Sequence, residues 1–99
     1  YEGVLLAAQA GSSVQAVHAG RVVFADWFGN SGLLLIIDHG DGYMSLYAHN
    51  QQLFKAVGAA VEAGEKIAAV GNTGGQSEYG LYFEIRHNGK AENPALWCK

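Results

Sequence analysis

Basic residues are scarce in this chain. Only six of its 99 residues are Lys or Arg, against nine Asp or Glu, giving a formal charge of −3. A nucleic-acid surface needs a basic stripe, and a polybasic membrane anchor needs a cluster; the six cations are scattered and form neither. Cysteine is nearly missing as well. Cys98, next to the last residue, is the only one, so neither an intrachain disulfide nor a Cys-based metal site is possible. Redox compartment stays open on that criterion. Proline is limited to one residue. The longest apolar run, 32–37, is far short of the roughly 20 residues a membrane-spanning helix requires. The chain opens on Tyr1 without Met and shows no secretory leader. We expect a processed or excised domain, and the missing leader then says nothing about compartment.

What is plentiful is glycine, with 14 residues, and apolar side chains, at 49% of the chain. Glycines that punctuate short β-type runs at close spacing indicate one all-β domain spanning 1–99. The expected strands are 4–7, 13–17, 21–27, 32–38, 43–48, 66–70 and 81–86. The turns "HAG" (18–20), "HGDG" (39–42) and "HNG" (87–89) supply glycines for positive φ, and Asn88-Gly89 is a strong hairpin signal. A helical turn is expected only at 50–55. "LLLII" (33–37) is continuously apolar, which suits a central strand covered on both faces or a strand with one face apolar by function.

The stretch "YGLYFEIRHNG" (79–89) carries the clearest pattern. Leu81, Phe83 and Ile85 alternate with Gly80, Tyr82, Glu84 and Arg86, so a strand here has one apolar face and one polar face. Other constellations are weaker. His18, His39, His49 and His87 have no His or Cys partner at metal-ligand spacing. His18, His39 and His87 read as polar turn residues. His49 closes "SLYAHN", where a strand gives way to an exposed loop. The serines show no nucleophile elbow, and "GNTGG" (71–75) lacks the Lys-Ser/Thr ending of a phosphate loop. Nine acids offer no choice of a glycosidase pair without geometry. A biotinyl or lipoyl carrier is excluded because Lys66 is not in a hairpin tip flanked by Met.

Four segments together, "GRVVFADWFGNSGLLLIIDHGDGYMSLYAHN", "VGAAVEAGEKIAAVGNTGG", "LYFEIRHNGK" and "NPALW", resemble the LytM/lysostaphin-type zinc peptidases over essentially the whole chain. The resemblance implies a LytM-type β-roll (a barrel-sandwich hybrid) with a central antiparallel sheet and an open groove. Active members of that family bind zinc through an H-x-G-x-D segment and the second His of an H-x-H motif. The matching positions here are Tyr1 and Leu5, then Gly80 and Tyr82; only the histidine of the "LYAH" segment persists, as His49. A catalytic zinc needs three protein ligands and an open position, so the resemblance implies no zinc, no cofactor and no peptidase activity.

The match is nearest in character to the degenerate LytM domains of EnvC-type activators. That branch implies a non-catalytic activator of periplasmic N-acetylmuramoyl-L-alanine amidases in peptidoglycan hydrolysis and daughter-cell separation. It also implies a divisome membrane complex contacted through regions outside these 99 residues, the domain being the C-terminal part of a longer protein. The expected partner-binding groove comprises Leu5, Leu34, Tyr47, His49, Tyr82 and Arg86, with Tyr and Arg supplying the residue types enriched at hot spots. The alternatives are a peptidoglycan-binding module without a partner enzyme, and an active zinc endopeptidase of cell-wall peptides.

Overall fold

The computed structural model describes residues 3–92. The expectations for Tyr1, for "NPALW" and for Cys98 lie outside the described residues. The strands are β1 (Val4–Ala7), β2 (Ser13–Gln15), β3 (Gly20–Trp27), β4 (Leu33–Gly40), β5 (Tyr43–Leu53), β6 (Ala60–Val61), β7 (Lys66–Val70), β8 (Gly80–His87) and β9 (Lys90–Glu92), with one 3-10 turn at Gly29–Ser31. Pairing runs β1-β8-β5-β4-β3-β6; β7 bridges β2 and β5, and β9 pairs with β8. Every pairing is antiparallel, and the path does not close into a barrel.

β4 occupies the middle of the pairing order, between β3 and β5. Leu35 and Ile37 face a core shared with Val14, Val22, Ile67, Val70, Phe83 and Ile85. Each such side chain contributes about 1.5–3 kcal/mol relative to exposure. The "DG" and "NG" turns are tight hairpins with positive φ at both central residues, 53° and 81° at Asp41-Gly42, 52° and 83° at Asn88-Gly89. This is the type I′ pattern that matches strand twist. The rings of Tyr43 and His87 stack 3.9 Å apart beside these turns.

Three expectations are corrected. Residues 50–53 are not helical: β5 runs on through them, because Asn50, Gln52 and Leu53 pair with β7. Gly20 does not serve a positive φ. It lies in β3, where a Cβ would strike the Asp38 carbonyl oxygen and the Ile37 side chain, so close approach of two strands is what requires glycine there. His39 is more than a turn residue. It lies next to last in β4, with Nδ1–H donated to the Ala19 carbonyl (2.8 Å) and Nε2 2.6 Å from Ser45 Oγ. With the hydrogen on Nδ1, Nε2 accepts the Ser45 hydroxyl hydrogen.

Candidate functional site

Residues directly opposite one another in an antiparallel pair share a face. The register sets Leu5 opposite Tyr82. It also sets Ala48 opposite Tyr82, Leu46 opposite Glu84 and Met44 opposite Arg86, and Ile36 opposite Leu46. That face, turned away from the core, carries an open cleft of about 440 Å³. Leu34, Leu46, Ala48, Tyr82, Glu84 and Arg86 line it, with Phe28, Asn30 and Ser31 at one wall and His49 and Gln76 beside them. The polar face of "YGLYFEIRHNG" is thus a groove surface.

The floor is hydrogen-bonded to itself. Glu84 is 4% exposed, and one carboxylate oxygen accepts the Tyr82 hydroxyl hydrogen at 2.6 Å. The other accepts from Arg86 Nε in an ion pair. The Tyr82 oxygen in turn accepts the Gly3 N–H at 3.1 Å. Burial of a carboxylate is tolerated when it is paired and hydrogen-bonded, and both conditions hold for Glu84. Arg86 Nη1 reaches the Gly89 carbonyl at 3.3 Å.

His49 enters the groove through a bulge. Leu33 pairs with Asn50 and Leu35 with Tyr47, so Ala48 and His49 together oppose Leu34. His49 is the extra residue, with φ of 65°, a left-handed conformation that is uncommon for a side chain other than glycine. The turn in the chain is clamped by Thr73. His49 Nδ1–H donates to its carbonyl (2.8 Å), and its hydroxyl donates to the Asn50 carbonyl (2.6 Å) while accepting the Leu33 N–H (3.1 Å). With its hydrogen on Nδ1, the imidazole offers Nε2 as an acceptor. His49 is therefore a nearly buried strand residue, 8% exposed, and not the start of an exposed loop.

The bulge also relocates one expected groove residue. Strict alternation keeps Tyr47 and His49 on one face; the extra residue separates them. Tyr47 faces the core, 1% exposed and packed against Phe83, with its hydroxyl 3.1 Å from the Val17 N–H and 2.8 Å from Ser45 Oγ. It does not line the groove. Leu34, His49, Tyr82 and Arg86 do. Leu5 is on the groove face beside Tyr82, in β1, and is 53% exposed. Leu46, Ala48 and Glu84 are groove residues that the alternation in "MSLYAH" and "LYFEIR" exposes once the core face is known. Phe28, Asn30, Ser31 and Gln76 reach the cleft from turns, and no local pattern marks them.

Among the described residues the donor set does not fit a zinc ion. Leu5 has no donor atom, Gly80 has no side chain, and the Tyr82 hydroxyl is engaged by Glu84 and Gly3. His49 is the one imidazole lining the cleft. Among the described residues no three or more His, Cys, Asp or Glu side chains come together in a way that could hold a metal. Burial, opposed by the Ala19 hydrogen bond, holds His39 below the usual histidine range, but that ring belongs to the end of β4 and not to the groove.

Comparisons with known proteins agree on the architecture. The model of peptidase family M23 matches residues 1–94. The chain is 46% identical over 97 residues to the murein hydrolase activator EnvC of Escherichia coli, covering 98% of this chain and 23% of that protein. It is 43% identical over 97 residues to the murein hydrolase activator NlpD of the same species, covering 94% of this chain and 24% of that one. Among solved structures, the catalytic domain of the antimicrobial peptidase lysostaphin from Staphylococcus simulans superposes with a TM-score of 0.89 at 27% identity, covering 97% of this chain and 77% of that one. The chain spans about a quarter of the length of the two activators. With a family match across nearly its whole length and the same open antiparallel sheet, the chain belongs to peptidase family M23, the LytM-type peptidases.

Proposed function

We propose that this chain is a non-catalytic M23 domain that binds and activates a periplasmic N-acetylmuramoyl-L-alanine amidase through its groove. The observation that carries this reading is the floor itself. Where a zinc peptidase needs a converging donor set, Tyr82, Glu84 and Arg86 bond to one another beside Leu34 and Leu46. That surface offers no activated water and no Lewis acid, but it does offer an aromatic ring, a guanidinium and an apolar bed, the materials of a binding site. The names of the two activators support the role of the domain, and their Gram-negative source supports a place in the cell envelope.

Activation is a matter of differential affinity. An amidase whose zinc site is covered by its own segment opens when the groove binds the open form more tightly than the closed one. Moving such an equilibrium from 1:99 to 99:1 requires about a 10⁴-fold preference. The groove residues assigned to this task are Leu5, Leu34, His49, Tyr82 and Arg86. Regions of the longer protein would carry the link to a divisome membrane complex.

Dye release from labelled peptidoglycan sacculi tests the reading, with the chain alone, the amidase alone and both together. Release by the mixture well above the amidase's own is expected. Release by the chain alone would establish a peptidase and contradict the proposal. Retention of the chain on sacculi with no stimulation of the amidase would favour the peptidoglycan-binding module instead.

A further inference from the structure

Tyr82 and Arg86 both bond to Glu84. One oxygen of the Glu84 carboxylate takes the Tyr82 hydroxyl hydrogen and the other takes the Arg86 Nε–H. A single nearly buried carboxylate, 4% exposed, thus determines how both side chains present themselves. The phenol has one hydrogen to give, and Glu84 receives it. The Tyr82 ring, at the cleft lining, stands edge-on to the His49 ring with centroids 6.2 Å apart. The guanidinium is held differently. Its Nε–H is turned to Glu84, its side chain is 45% exposed, and Nη1 makes one weak bond to the Gly89 carbonyl.

We infer that Glu84 is the positioning residue of the groove, acting through Arg86 and Tyr82 and touching no partner itself. It holds the guanidinium of Arg86 at the groove surface and Tyr82 as an apolar plate. The segment that fits brings an apolar side chain to the ring and an oxygen acceptor, a carboxylate or a main-chain carbonyl, to the guanidinium. This rests on reading the groove as the partner surface. Three features favour a positioning role over simple filling. Glu84 is nearly buried and yet lines the cleft. Both its oxygens are engaged by the two side chains in question. A guanidinium on a flexible stem loses rotamer entropy on binding unless it is held beforehand.

The first test needs no partner. In the full chain, the Arg86 Nε–H is followed by ¹H–¹⁵N NMR in wild type and in Glu84→Gln. A slowly exchanging, shifted resonance that collapses to that of a free arginine in the variant is expected; an unchanged resonance would overturn the inference. The second test is the sacculus dye-release assay with a periplasmic N-acetylmuramoyl-L-alanine amidase. Glu84→Gln is expected to need at least tenfold more protein for half-maximal activation, with the plateau retained. In the double variant Glu84→Gln/Arg86→Ala, the loss that Glu84→Gln adds to that of Arg86→Ala is expected to be smaller than its loss in wild type, because only Tyr82 is then left for it to position. Losses that add in the double variant would overturn the inference. A carboxylate on the partner makes wild-type affinity fall with added NaCl, whereas a carbonyl leaves it nearly flat. Should Glu84→Gln not fold, Glu84→Asp, which withdraws the carboxylate by one methylene, is measured in its place by both readouts. If wild type fails to activate at all, the proposed function falls while the NMR result still decides whether Glu84 holds Arg86.

Discussion

Replacing Tyr47 by Phe separates packing from recognition. The ring stays in the core, and only the hydroxyl is lost. That hydroxyl accepts the Val17 N–H at 3.1 Å and pairs with Ser45 Oγ at 2.8 Å. Ser45 keeps a partner in His39 Nε2, 2.6 Å away, but the Val17 N–H loses its acceptor. A donor left unsatisfied in the interior costs about 1–3 kcal/mol; Val17 is only half-buried, so the lower half of that range applies, about 1–2 kcal/mol. For a domain of this size each kcal/mol lowers the midpoint by about 4–8 °C, and a fall of roughly 5–15 °C is expected in a circular-dichroism melt. Activation of the amidase at 20 °C, where the variant is folded, should match wild type, because Tyr47 points away from the groove. An unchanged melting temperature would mean that the hydroxyl holds nothing. Lost activation in a folded variant would mean that Tyr47 reaches the partner and that its assignment to the core face is wrong.

Other perturbations follow from the same geometry. At Gly32 (φ 63°) an added Cβ would lie 2.5 Å from the Thr73 carbonyl carbon and 2.7 Å from the Gly74 nitrogen, so Gly32→Ala should cost about 3 kcal/mol or more by combined strain and overpacking; a melting temperature within 3 °C of wild type would contradict this. Burial keeps the folded-state pKa of His39 below its ordinary 6.5, so near and below that value the unfolded chain binds the extra proton first. The stability His39 contributes is complete above its ordinary pKa and is lost as pH falls through the folded value. Melting temperature should therefore drop between pH 7.5 and 5.5, with a flatter profile in His39→Asn; equal slopes would remove His39 as the cause. Finally, added zinc or EDTA should leave the melting temperature unchanged, since a metal held by the native state would raise it by mass action.

Much of this fold is written locally. β1 and β7 have the ends that the apolar runs and glycines predict, and the Asn88-Gly89 turn is explicit in the sequence. β6 and β9 have two and three residues, too few for any periodicity to register. The extension of β5 through "NQQL" depends on hydrogen bonds to β7, a partner about fifteen to twenty residues away that no local propensity reports. The groove shows the same division. Alternation alone identifies Tyr82, Glu84 and Arg86 as one face. It fails at Tyr47 and His49 because a bulge lies between them, and a bulge is a fact about register with a neighbouring strand. The role of Glu84 was equally hidden, since a strand pattern says which side chains share a face but not which of them bond.

The central claim is that this groove, and not a metal, is what the domain uses. The most direct measurement is dye release from labelled sacculi by the amidase in the presence of wild type, Tyr82→Ala and Arg86→Ala, each first shown to be folded by its melting curve. The account predicts strong stimulation by wild type and at least a tenfold loss in potency for each variant. Full stimulation by both folded variants would contradict it.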